Sequence, residues 1–296
     1  MKKPPSFEKE IKTIGLISKT KISGHEKTIK QLVRFCKRHK KKVVFDTNVA
    51  KLFKKEKGFN KKNLLSMVDF AIILGGDGTL LKTARSIGRN KVLTLGVNFG
   101  TLGFLTECTP DKLSFCLNKI ISGQYNVDRR SILRTTIYRK GKKMQTFASL
   151  NDAVINQGSF ARLIKLDMEI DHRKMTTMHA DGVIVATPSG SSGHSLSAGG
   201  PIIHPKIESL VVTPICPSSL SMRPIVIPDD RILSIKVDTR RKEDSAKIGL
   251  TIDGQEYVEL KYGDIIKFRR SKRYFYLART GNRYYKMLRN KLGWGG

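Results

Sequence analysis

The sequence predicts two domains of different class, an N-terminal α/β domain built on a mainly parallel sheet and a β-rich domain after it, within 296 residues. Two observations carry this. Up to residue 125, apolar runs of strand length alternate with amphipathic runs of helical length, the pattern of βα units. From residue 126 onward, strand signals follow one another with little helix between them, so the boundary divides residues 1–125 from 126–296.

In the first part, KTIGLIS, KVVFD, FAIILGG and VLTLGVN read as strands, and HEKTIKQLVRFCKRH, TLLKTARSIG and DKLSFCLNKIISG as helices. In the second part, the strands are ILRTTIYR, KMQTFASLNDAVIN, LIKLDMEID, DGVIVATPS, ESLVVTPIC, RILSIKVDT, KIGLTIDG, DIIKFRR and YFYLAR. The tail GNRYYKMLRNKLGW turns helical, and packing back on the first domain is the expectation for it.

With 39% apolar and 27% charged residues the chain has a globular composition. The basic start MKKPPSFEKEIK is followed by no apolar segment of signal-peptide type, and no run approaches the ~18 apolar residues of a membrane span; a cytoplasmic protein is expected. Cys36, Cys108, Cys116 and Cys216 form no Cys-x-x-Cys pair and read as reduced thiols without metal. The formal charge of +31 is heaviest in KRHKKK and KKEKGFNKK. Such a balance suits anionic ligands in general. The lysines are spread along the chain with no zinc-finger or aromatic RNA-binding signature beside them, so a solvated basic surface is expected and nucleic acid is not the expected partner.

One stretch, VDFAIILGGDGTLLKTARSIG at residues 68–88, carries the chemistry. A strand stops at Gly75 and Gly76, and Asp77, Gly78 and Thr79 lead into a helix. Glycine loops at helix N-termini cradle phosphate, yet a bare carboxylate repels it. Asp77 makes sense there as a ligand to Mg²⁺ on phosphate oxygens, or as the acceptor of a proton from a hydroxyl being phosphorylated; its structural alternative is a helix cap. Neither the P-loop pattern nor Gly-x-Gly-x-x-Gly is present. A second stretch, DGVIVATPSGSSGHSLSAGGPIIHP at residues 181–205, is dense in small residues. Its Gly193-His194-Ser195-Leu196-Ser197 misses the nucleophile elbow of serine hydrolases by one residue, Ser197 standing where glycine is needed.

GGDGT, LGVNFGTLGFLTE, LNDAVI, the 181–205 stretch and TPICPSSLSMRPIVIP occur in this order, and together they resemble the ATP- or polyphosphate-dependent NAD kinase family. Diacylglycerol and sphingosine kinases share GGDGT alone; the set of five is specific. The resemblance implies a doubly wound α/β domain, a C-terminal β-sandwich-like domain, an active site between them, a divalent cation such as Mg²⁺, and a homodimer or homotetramer. It implies that Asp77 accepts the proton of the adenosine 2′-hydroxyl of NAD, with Gly75, Gly76, Gly78 and Thr79 on the nucleotide. Asn151 and Asp152 match the family's Asn-Glu ribose pair, Asp152 being one methylene shorter. Asp181 matches an aspartate at the nicotinamide end. Ser192, Gly193, His194, Ser195, Leu196 and Ser197 match its Thr-Ala-Tyr-Ser-Leu-Ser segment, with His194 in place of a stacking Tyr. Arg162, His179 and Gln255 fall at nucleotide-lining positions.

The expected reaction is phosphorylation of NAD to NADP by ATP or polyphosphate. The alternatives are a lipid kinase, against which no membrane-facing amphipathic stretch is found, and a non-catalytic basic nucleotide- or nucleic-acid-binding protein in which Asp77 is a cap.

Overall fold

The computed structural model describes residues 7, 10–19, 24–53, 56–158, 163–238, 248–281 and 284–294. The chain divides into two compact units, Met1–Arg129 with Phe275–Gly296, and Arg130–Tyr274. The C-terminal tail thus belongs with the first unit.

In the first unit, strands β1 (Thr13–Ser18), β2 (Lys42–Asp46), β3 (Gly58–Phe59), β4 (Phe70–Leu74) and β5 (Leu93–Val97) form a parallel sheet in the order β3-β2-β1-β4-β5. The connections are helices α1 (Glu26–Arg38), α2 (Thr47–Ala50), α3 (Lys61–Met67) and α4 (Asp77–Ser86), and α5 (Leu113–Ile121) follows β5. All five residues of β4 are buried, which is why it reads as an unbroken apolar run; all five of β5 are buried too, with the Thr94 hydroxyl satisfied by the Tyr276 carbonyl at 2.7 Å. Helix α1 buries Ile29, Leu32, Val33 and Cys36, the stripe that a 3.6-residue period lays on one face. The lysine-rich segment read as surface contains β3 and α3: Asn60 accepts the Asn63 N–H at 2.9 Å, and Leu64 and Leu65 anchor the helix in the core.

The chain runs outward from β1 to β3, then returns to the other side of β1 for β4 and β5. This reversal makes the sheet doubly wound and puts its topological switch point between β1 and β4, where open α/β sheets bind ligands at the carboxyl ends of the strands. The two strands end level, Ser18 paired with Leu74 and the Lys19 N–H bonded to the Leu74 carbonyl at 3.1 Å.

The second unit contains β6 (Asn126–Arg139, whose first residues lie in the first unit), β7 (Lys142–Ser149), β8 (Asp152–Gln157), β9 (Ile164–Ile170), β10 (Arg173–Ala180), β11 (Gly182–Ala186), the short helix α6 (His194–Ser197), β12 (Ser209–Ile215), β13 (Ile225–Pro228), β14 (Leu233–Asp238), β15 (Ile248–Ile252) and β16 (Glu256–Leu260). Strand β17 (Ile265–Arg279) starts here, pairing with β14, and ends in the first unit, where Tyr276 and Leu277 pair in parallel with β5; helix α7 (Tyr284–Leu292) follows it.

An antiparallel sheet in the order β13-β12-β11-β8-β15-β16 packs against a second layer that includes β10-β9-β14-β17. Ile155, Val183, Val185, Leu250 and Ile252 from the first layer meet Leu166, Met168, Ile235, Ile266 and Phe268 from the second in one apolar core. The opposite face of the first sheet is covered too: Val154, Ile184, Ala186 and Val211 pack under Ala198 and Ile203. The expected strand at residues 143–156 is in fact two, β7 and β8, because the chain turns at Leu150 and Asn151 to satisfy a buried carboxylate described below. Strands β3, β10, β13 and β16 were not anticipated from the pattern: β3 has two residues, β10 is mostly polar, β13 is a four-residue apolar edge strand closed by a proline, and edge strand β16 is interrupted by glutamates.

Phe268 is fully buried in this core. Phe268→Ala should therefore destabilise the protein by about 3–5 kcal/mol, read as a lower denaturation midpoint in urea.

Candidate active site

At the switch point, β4 gives way to Gly75 and Gly76 and then to α4. Gly75 has φ of +152°, and a Cβ on it would lie 2.4 Å from the Thr79 hydroxyl, so the turn admits only glycine. Its N–H bonds the Val97 carbonyl at 2.8 Å, tying the turn to the end of β5. Thr79 is buried, its N–H on the Gly76 carbonyl, whereas Gly78 is exposed.

Asp77 is the first residue of α4; the N-cap is Gly76, and no side chain caps the helix. The cap reading of Asp77 does not hold. Its carboxylate reaches instead to the loop after β5: Oδ2 accepts the Phe104 N–H at 2.9 Å, and Oδ1 accepts those of Leu105 and Thr106 at 3.2 Å each. Gly103 makes room for this, since a Cβ there would stand 2.2 Å from Oδ1. The Thr106 hydroxyl accepts the Gly103 N–H at 2.7 Å, and Asn98 folds the loop's start by accepting the Gly100 N–H at 3.1 Å and donating to the Thr101 carbonyl. A carboxylate offers about four lone-pair directions. Three N–H bonds leave Asp77 roughly one for anything else.

In the second unit a parallel device organises the start of β8. Asp253 and Gly254, with φ of +50° and +63°, are the left-handed pair of the three-residue turn 253–255 between β15 and β16. The Asp253 carboxylate accepts the N–H groups of Leu150, Asn151 and Asp152 at 3.2, 2.8 and 3.3 Å. From the other side, Thr187 donates its N–H to the Asn151 carbonyl at 2.8 Å and its hydroxyl to the Leu150 carbonyl at 2.6 Å. The backbone of Asn151 is thereby fixed, its half-buried side chain projecting from a clamped turn. Gln255 stands in the same hairpin, its N–H on the Ile252 carbonyl.

The 187–204 segment lies over this end of the sheet. Ser195 is fully buried, its hydroxyl 2.8 Å from that of Thr213, and so serves the packing of the segment. Ser192 lies within hydrogen-bond range of the Ser189 carbonyl; Gly193 and Leu196 are half-buried; His194 and Ser197 are exposed. Arg130, 4% exposed, donates to the Ser189 hydroxyl at 3.1 Å and was not singled out from the sequence. Asp181 lies at the opposite end of the same sheet, because Gly182 pairs with Asn156 while Ala186 pairs with Asp152; β8 separates the two ends by roughly 20 Å. There the Gln157 amide donates to Asp181 at 2.7 Å, and the His179 carbonyl receives the Ser218 N–H. Arg162 lies outside the described residues.

Models of the ATP-NAD kinase N-terminal domain and the ATP-NAD kinase C-terminal domain match residues 14–125 and 150–280. The chain belongs to the ATP-NAD kinase family. It is similar to the NAD kinase of Geotalea daltonii, 43% identical over 79% of this chain and 82% of that protein, and to that of Koribacter versatilis, 37% identical over 96% and 99%. Among solved structures, an Archaeoglobus fulgidus NAD kinase in complex with ATP superposes with a TM-score of 0.72 at 25% identity, covering 95% of this chain and 97% of that one. Yeast NADH kinase complexed with NADH shares the fold, with a TM-score of 0.89 at 24% identity over 98% and 89%. Family membership makes this chain an NAD kinase, an enzyme, rather than a lipid kinase or a non-catalytic binding protein. No helix among the described residues is long and apolar enough to cross a membrane.

Among the described residues, no three His, Cys, Asp or Glu side chains gather as a metal cage. With about one lone pair of Asp77 open, the donor set fits a divalent cation held chiefly by substrate phosphates and by one protein carboxylate at most.

Asp152 is buried, and burial first, then the neighbouring charge of Asp253, pushes its carboxyl up to about 7. The folded chain therefore binds a proton more readily than the unfolded one between pH ~4 and ~7, and ionisation of Asp152 costs stability as pH rises through that window, on the order of 4 kcal/mol in full. Asp152→Asn should be more stable than the parent at pH 8 and no more stable at pH 4, as measured by denaturant titrations at the two pH values.

Proposed function

We propose that the chain transfers the terminal phosphoryl group of ATP, or of polyphosphate, to the 2′-hydroxyl of the adenosine ribose of NAD, giving NADP, and that Asp77 is the proton acceptor. The observation that carries this is the Asp77 carboxylate at the switch point, fixed by three backbone N–H groups and open in about one direction. In that direction it accepts the hydroxyl proton as the ribose oxygen forms its bond to phosphorus. The bond from phosphorus to the bridging oxygen breaks, and that oxygen leaves with the nucleoside diphosphate or the shortened polyphosphate.

Proton acceptance by a positioned base contributes ~10²- to 10⁴-fold, and alignment of the two substrates the larger share. Gly75, Gly76, Gly78 and Thr79 would carry the donor phosphates at the N-terminus of α4. A divalent cation, when bound, would neutralise phosphate charge and be held chiefly by the substrate phosphates, since the open direction of Asp77 is the one that faces the hydroxyl. Asn151 would hold a ribose, its clamped backbone supporting that use, with the carboxylate of Asp152 buried behind it. Ser192, Gly193, His194, Leu196 and Ser197 would border the nucleotide, with Ser195 packed beneath them, and Asp181 with His179 the nicotinamide end; Gln255 and Arg162 belong to the same proposed lining. A formal charge of +31 favours anionic substrates generally. A homodimer or homotetramer belongs to the same reading.

Purified protein with NAD, ATP and Mg²⁺ should yield NADP, detected with an NADP-specific dehydrogenase; absence of NADP with every donor in an ATP and polyphosphate panel overturns the assignment. Asp77→Ala should lower kcat at least 100-fold. Asp77→Asn should be no milder, because its NH₂ would face the N–H donors of residues 104–106.

His194 is exposed and free to stack on a base. His194→Ala should weaken NAD binding roughly tenfold and His194→Tyr should preserve it, measured by calorimetric titration.

A further inference from the structure

Each of the three residues whose N–H faces Asp77 also presents its carbonyl to one other side chain. Arg279, near the end of β17, donates through Nη2 to the Phe104 carbonyl at 3.0 Å, and through Nη1 to the Leu105 and Thr106 carbonyls at 3.2 Å each. Its remaining contacts are Nε to Asp128 at 3.0 Å and Nη1 to Glu107 at 3.3 Å.

We propose that Arg279 is a positioning residue for phosphoryl transfer: it presses residues 104–106 onto Asp77 and so aims the carboxylate. This rests on the reading of Asp77 as proton acceptor. The peptide groups of residues 104–106 lie between a negative charge on their N–H side and a positive charge on their C=O side, and hydrogen bonds polarised at both ends strengthen one another. The guanidinium presents its N–H donors in a rigid fork, and each of its three nitrogens donates to at least one of these five acceptors, Nη1 to three of them. Its contacts go to the carbonyls of the loop that holds Asp77 and to the carboxylates beside it, so Arg279 acts through Asp77 rather than on the reacting atoms.

The clamp is itself held. Glu107, 3% exposed, accepts both the N–H and the hydroxyl of Thr280 at 2.8 Å, fixing the backbone beside Arg279 while its other oxygen meets the guanidinium. A lysine would keep the charge near Asp128 and Glu107, but its three donors on one atom cannot serve three successive carbonyls and two carboxylates.

The test is a double-mutant cycle. Arg279→Lys should lower kcat about 10- to 100-fold with KM for NAD within about threefold, since a carboxylate misplaced by an ångström loses that much. In an Asp77→Ala background the same change should alter kcat by less than twofold. Arg139→Lys is the control for loss of a buried ion pair, because Arg139 makes a bidentate contact with fully buried Asp264 at 2.8 and 2.7 Å. It should lower the melting temperature and leave kcat unchanged.

If Arg279→Lys fails to fold, Arg279→Gln, which keeps two donors without the charge, runs the same cycle, and circular dichroism with NAD titration confirms the folded state. Equal losses of kcat in both backgrounds overturn the positioning role while leaving Asp77 as the base. Near-parental activity of Asp77→Ala overturns the reading of Asp77, and the proposal with it.

Discussion

The three hydrogen bonds from residues 104–106 to Asp77 are the constraint on which the first unit's site depends. They join the end of β4 to the loop after β5, two points that the parallel sheet brings together but does not itself connect. They also explain why a carboxylate stands in a glycine turn: the negative charge is met by backbone N–H groups of the protein before any phosphate arrives. The turn at Gly75 and the gap at Gly103 exist to let that contact form.

The second unit repeats the solution with different parts. Asp253 gathers three consecutive N–H groups at the start of β8, just as Asp77 gathers three after β5. A carboxylate is well suited to this, accepting several N–H bonds from one loop where a neutral side chain accepts one or two. A neighbour bears the consequence: burial, and then the charge of Asp253, raise the carboxyl of Asp152, which holds its proton to about neutral pH.

The parallel sheet was legible because its strands are buried on both faces and leave unbroken apolar runs, and Asp77 was legible because a carboxylate among glycines is chemically odd. The loop that holds it was visible only as a motif: nothing local in residues 98–107 shows that their N–H groups point at a side chain about 27 positions earlier. Asp253 was hidden by an ordinary Asp-Gly turn, a sequence that hairpins use everywhere. Ser195 looked like a binding hydroxyl, and only its burial against Thr213 distinguishes it from one. Edge strands β13, four residues ending in proline, and β16, interrupted by glutamates, fell below what alternation can reveal.

Strand β17 runs from one unit into the other, and this bears on how the molecule comes to exist on the ribosome. Residues 1–129 contain the parallel sheet except its last strand, and although Glu107 and Cys108 cover the Gly96–Val97 end of β5, the Leu93–Thr94 end of its outer edge must wait for Tyr276 and Leu277. During that wait the exposed start of β5, normally buried, is an open template for another chain. The same order of synthesis delays the guanidinium of Arg279 until 173 residues after Thr106, the last residue of the loop that holds Asp77. A fragment ending near residue 129 would therefore be both sticky and catalytically incomplete, and the two halves of this protein, though compact as units, are not separable as pieces of chain.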